Sequence, residues 1–92
     1  NNWNVIQYSA LVMMFAQVAA LELGELVHVI ADAHIYDRHI PYVEELLKRE
    51  PLCAPTLSID KSIDDFYAFS QSSFDLKDYQ FHPTLGKLPV AI

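Results

Sequence analysis

Glu25-Leu26-Val27-His28-Val29-Ile30-Ala31-Asp32-Ala33-His34-Ile35-Tyr36, followed by Asp37-Arg38-His39, decides the fold of this chain. In an extended chain, successive side chains point to opposite faces. Val27, Val29, Ala31, Ala33 and Ile35 then share one wholly apolar face. His28, Asp32, His34 and Tyr36 share the other. A strand that only filled a core would not need a row of titratable and hydrogen-bonding groups. The pattern predicts a strand over residues 25–36 with a chemically equipped face.

Outward from this strand, the segment before it is apolar nearly all round. Residues 4–22 read as a helix rich in Leu, Ala, Met and Gln, of the kind that sits buried in the middle of a domain. Asn2 or Asn4 would cap its start, and Gly24 would end it in a left-handed conformation. The run from Val5 to Leu21 approaches membrane length. It contains Gln7, Ser9 and Gln17 and has no basic flank, so a buried helix is the better reading.

After the strand, Pro41 sits where a first helical turn tolerates it. Residues 40–49 form a helix with an apolar stripe of Ile40, Val43, Leu46 and Leu47. Glu44 with Lys48 and Glu45 with Arg49 are four-apart pairs with the acid first. Glu50-Pro51 stops it. Residues 56–59 are a short strand, Ser62 and Asp65 suggest a helical turn before Phe69, and residues 73–79 are a last strand or irregular. The tail, residues 81–92, carries Pro83, Gly86 and Pro89 and no period. The order gives an α+β domain, a buried central helix packed on a small mixed sheet.

With 92 residues the chain is one domain at most. Hydrophobic residues at 52% and charged residues at 20% place it among folding sequences. A chain this short is marginal unless a partner surface completes it. Its net charge of −6 and lack of a basic stripe argue against nucleic-acid binding. The single Cys53 cannot form an internal disulfide and fits a reducing compartment. It lies in Pro-Leu-Cys-Ala-Pro with nothing to lower its pKa, and reads as a structural or surface thiol. Arg38 and Arg49 are too separated to announce a phosphate site, and solvated or ion-paired roles suit them better.

Three readings of the polar strand face stand side by side. His28, Asp32 and His34 are ligand types for a metal, although one strand rarely wraps an ion. His34 and Tyr36, two apart, can each donate and accept and would grip a sugar hydroxyl. A half-exposed sheet face with no ligand fits as well. Asn4 is open in the same way: a plain helix cap, or a carboxamide matching the 4-oxo and N3–H edge of uracil. The apolar end Leu88-Pro89-Val90-Ala91-Ile92 would pack on the core or on a bound ligand. No Gly-rich phosphate loop, nucleophile elbow or metal motif is present.

Taken together and in order, several segments resemble the C-terminal portion of thymidylate synthase. They are Trp3-Asn4-Val5 with Tyr8, Ala16-Gln17, Leu21-Glu22-Leu23-Gly24-Glu25, Asp32-Ala33-His34-Ile35-Tyr36 with His39, Arg49-Glu50-Pro51, His82-Pro83 and Pro89-Val90-Ala91-Ile92. The resemblance implies conversion of dUMP to dTMP by reductive methylation with 5,10-methylenetetrahydrofolate as co-substrate and no metal. It implies that Asn4 binds the uracil edge, that His34 and Tyr36 bind the ribose 3′-hydroxyl, and that Trp3, Val90 and Ala91 line the folate side. Ile92 would carry the carboxylate that helps the tail close over both ligands. It further implies a cytoplasmic homodimer joined by sheet faces.

Departures from the family pattern carry their own expectation. In the family, the nucleophile is a cysteine in a Pro-Cys-His-type segment far upstream of the Asn, and an Arg-Ser-x-Asp segment and the phosphate-binding arginines also lie upstream. Neither segment is in this sequence, and Cys53 is in the wrong context. The 92 residues are thus expected to hold about half a pocket and to catalyse nothing alone. Two other readings remain: a self-associating interaction module without catalysis, and a deoxycytidylate hydroxymethylase relative, which would want an acid at position 4.

Overall fold

The computed structural model describes residues 2–86 and has the α+β arrangement. Helix α1 spans Asn2–Val18 and α2 spans Ile40–Lys48. Strands β1 (Thr56–Ile59) and β2 (Phe74–Lys77) form a two-stranded antiparallel sheet. Thr56 pairs with Lys77, Leu57 with Leu76, Ser58 with Asp75 and Ile59 with Phe74. The sheet is antiparallel rather than mixed, because the two strands within reach are joined by a reversing connection. Short 3₁₀ turns cover Asp37–His39, Phe66–Ala68 and Gln71–Ser73.

The first helix starts and stops earlier than its composition suggests. Asn4 lies inside its first turn, so it is not the cap. At the far end the chain turns at Ala20, whose φ of 55° is left-handed. Leu21 N–H donates to Ala16 O at 2.8 Å, and Ala20 N–H to Gln17 O at 3.2 Å. These are the two bonds of a Schellman ending, with an alanine where glycine is usual. Gly24, the residue expected to end the helix, is not in the left-handed region.

Residues 25–36 do not form the expected strand. Strand structure is a pairing of two backbones, and among the described residues no backbone ladder joins this segment to another. A bend at Ala31 and Asp32 also interrupts the alternation.

Connections to α1 are few and specific. Phe15 stacks on Phe66 with ring centroids 4.8 Å apart, and Phe69 lies between Phe66 and Phe74 at 6.3 and 6.2 Å. Gln17 Nε2 donates to the carbonyls of Asp60 and Ile63, each at 2.9 Å. The loop receiving Gln17 is braced by Asp60, whose carboxylate accepts from Ser62 Oγ at 2.7 Å and Ser62 N–H at 3.0 Å. Ser62's hydroxyl, and then its backbone N–H, hold the Asp60 carboxyl below its ordinary value of 3.8. Asp65 accepts from Tyr67 N–H at 3.1 Å and starts the next turn, as its spacing suggested.

No hydrophobic side chain is buried among the described residues, and Ser73 alone is. Helix α1 is accordingly half-buried to exposed along its length, rather than enclosed. A helix apolar all round needs covering on every side, and here no residue of α1 from Trp3 to Val18 is buried. The stripe of α2 is likewise open, with Leu46 and Leu47 exposed. No helix among the described residues is long and apolar enough to cross a membrane.

Candidate functional site

His34 and Tyr36 are brought together by the extended segment that runs into α2. Their rings lie 5.4 Å apart, and Tyr36 meets His39 edge-on at 5.2 Å. His34 Nδ1 lies 3.0 Å from Asp32 O. A carbonyl only accepts, so Nδ1 carries the proton. In the neutral ring, Nε2 is then left as a bare acceptor. The Asp32 carboxylate, 3.7 Å from the same Nδ1, reinforces that orientation. An acceptor nitrogen next to a phenol, which donates or accepts, suits one hydroxyl of a ligand.

Both side chains line a cavity of about 500 Å³. The turn contributes His39, α2 contributes Tyr42, Val43 and Leu46, and the C-terminal segment contributes Leu85. Ile35 also lines it, so the strict division of faces does not hold beyond the bend. His28 and Asp32 do not line it. Among the described residues, no three His, Cys, Asp or Glu side chains gather into a group that could hold a metal ion.

The remaining candidates are placed apart. Trp3 and Asn4 stand on the exposed first turn of α1 and do not line this cavity. Val90, Ala91 and Ile92 lie outside the described residues. Cys53 is exposed and free. Arg49, read as solvated or ion-paired, has its closest bond elsewhere: Nη1 donates to Pro83 O at 2.7 Å, while Nε stands 3.9 Å from Glu45.

His39, Tyr42 and Leu85 escaped the sequence reading as cavity residues. His39 was visible in the decisive stretch, but which way the turn would carry it was not. Tyr42 is one position from the apolar stripe, and Leu85 sits in a tail without period.

The thymidylate synthase family profile matches residues 1–92, the whole chain. This chain belongs to the thymidylate synthase family. Thymidylate synthase of Malacoplasma penetrans (strain HF-2) is 44% identical over 89 residues, covering 96% of this chain. Thermostable thymidylate synthase A from Bacillus subtilis is 40% identical, with a TM-score of 0.89 over 94% of this chain. In both cases this chain spans 31% of the relative's length. The thymidylate synthase fold thus accounts for a short sheet and two open helices that look unfinished as a domain.

Proposed function

We propose that these residues form the nucleotide- and folate-facing part of a thymidylate synthase, an enzyme that converts dUMP to dTMP by reductive methylation with 5,10-methylenetetrahydrofolate. The observation that carries this reading is the His34–Tyr36 pair at the wall of a cavity, on a chain of this family. His34 Nε2 accepts from the ribose 3′-hydroxyl and Tyr36 completes the grip. Asn4 presents its carboxamide to O4 and N3–H of uracil, a donor and an acceptor side by side. Trp3, Val90, Ala91 and Ile92 form the folate side, and closure of the tail excludes water and orders both ligands. The working enzyme is a cytoplasmic homodimer joined through sheet faces.

Alone, the 92 residues do not turn over. Attack at C6 of the uracil needs a thiolate, and Cys53 is exposed in a Pro-Leu-Cys-Ala-Pro segment that itself supplies no base. The decisive assay compares dTMP formation by this chain with that by the complete polypeptide that carries it. Turnover by the chain alone contradicts this part of the proposal; no turnover by the complete polypeptide overturns the assignment. Equilibrium binding of dUMP and dCMP separates the reading from a deoxycytidylate hydroxymethylase. Asn4 predicts that dUMP binds more tightly, since cytosine reverses both hydrogen-bonding positions.

A second reading is favoured by one observation, the exposure of large apolar side chains along α1, residues 21–36 and α2. On that reading the chain is a self-associating module without catalysis, and its mass in solution rises with concentration.

A further inference from the structure

Two hydrogen bonds cross between the end of α2 and the start of the C-terminal segment. Arg49 Nη1 donates to Pro83 O at 2.7 Å. His82 Nε2 lies 2.8 Å from Glu50 O and, facing a carbonyl, must be the donor. The pair is reciprocal: a side chain from each segment reaches a backbone oxygen of the other. Both segments are stiff at this point. Glu50 precedes Pro51 and His82 precedes Pro83, which biases each toward an extended backbone. The Arg49 side chain is only 20% exposed, so its stem is packed as well as its head bonded. Beyond the crossing, Gly86 N–H donates to Thr84 Oγ1 at 3.1 Å, with Gly86 at a φ of 92°. That small turn brings half-buried Leu85 against the cavity that holds His34 and Tyr36.

We infer that Arg49 and His82 are positioning residues for the ribose grip: their reciprocal bonds fix residues 82–85 so that Leu85 closes one wall of the His34–Tyr36 cavity. The clamp touches no ligand. It acts by restricting the space in which the Tyr36 ring and the His34 imidazole can turn. Its consequence for nucleotide binding rests on the reading of His34 and Tyr36 proposed above; its existence does not.

The test uses the complete polypeptide that carries this chain, with Arg49→Met, His82→Ala and His82→Gln, and with Glu45→Gln as a control. Methionine keeps most of the arginine stem and removes the donors, and glutamine retains an N–H near the position of Nε2. Backbone hydrogen exchange over residues 84–86 is expected to quicken about tenfold in Arg49→Met and His82→Ala, the order expected for one lost bond with a charged or well-aligned donor. His82→Gln and Glu45→Gln should stay within about twofold of the parent, a margin well below the loss of one such bond. Binding of dUMP and of its 3′-deoxy analogue then reads the grip. The parent should prefer dUMP about tenfold, as for one specific hydroxyl contact, and both clamp-breaking variants should lose most of that preference. A merely destabilising substitution weakens both nucleotides alike and leaves their ratio unchanged. Unaltered exchange in Arg49→Met and His82→Ala overturns the clamp. Faster exchange with an intact preference overturns its positioning role. A parent with no preference for the 3′-hydroxyl overturns the ribose assignment instead, and the exchange data still decide the clamp.

Discussion

At the scale of single residues, a few backbone and side-chain choices decide local geometry. Ala20 holds a left-handed φ of 55° that its Cβ resists, and it does so to satisfy the last carbonyls of α1. Ala20→Gly should therefore raise stability by about 0.5–1 kcal/mol, read from the midpoint of urea unfolding of the complete polypeptide. A loss of stability would mean that the alanine methyl packs on something more valuable than the strain it causes. Asp60 makes a second prediction, for acid. Its carboxyl is held below 3.8 by the Ser62 hydroxyl and N–H. A depressed carboxyl contributes stability above its unfolded value, and that contribution is lost as pH falls through the folded value. The Ser62 amide resonance should follow a titration with its midpoint below 3.8. A midpoint at or above 3.8 would mean that the Ser62 bonds do not form in solution. Asp60→Asn should remove the titration altogether.

At the scale of elements, the deciding variable is whether a segment's partner is within the chain. β1 and β2 are legible because each supplies the other's ladder over residues 56–59 and 74–77. α2 is legible because a helix satisfies its own backbone, and Pro41 and the Glu45–Arg49 spacing mark its ends. Residues 25–36 have the strongest strand pattern of all and form none, since alternation says what a strand would bury but not who pairs with it. The site divides in the same way. His34 and Tyr36 were readable from their spacing of two, whereas His39, Tyr42 and Leu85 reach the cavity only through tertiary folding. Gln17 was noticed as a polar residue in an apolar helix. The structure gives it a role, with two hydrogen bonds to a loop more than 40 residues away. Gln17→Met keeps the helix propensity and approximate volume and removes both donors. It should cost about 1–3 kcal/mol of stability, measured by thermal or urea unfolding of the complete polypeptide. A change under about 0.5 kcal/mol, the ordinary scatter of surface substitutions, would show that water replaces both bonds without penalty.

At the scale of the whole molecule, the surface is larger than the mass warrants. A compact protein of 10.5 kDa exposes about 5,400 Å², and these residues expose 8,289 Å². The radius of gyration is 16.8 Å, against about 12 Å for a compact chain of this length. An excess of about 2,900 Å² on one chain is about 5,800 Å² counted over two partners, the size of the largest obligate interfaces. It is also apolar: Val27 and Val29 are 77% and 82% exposed, and Trp3 is 87% exposed. Hydrophobic burial is the main force opposing chain entropy, so a chain with no buried apolar side chain among its described residues has little to hold it in one arrangement. Taken out of its polypeptide, the chain should unfold in urea without a sharp midpoint and bind a hydrophobic dye, and its sedimentation coefficient should rise with concentration. Supplying the remainder of a family polypeptide, of which this chain spans 31% in its relatives, should suppress the dye signal and restore one cooperative transition. Restoration should fail for a complement that lacks strands able to pair with residues 25–36, because their unpaired backbone N–H and C=O groups cannot be enclosed without partners. A chain that by itself stays monomeric at every concentration and unfolds sharply would show that the exposed apolar surface packs internally in solution, and that no partner surface is needed.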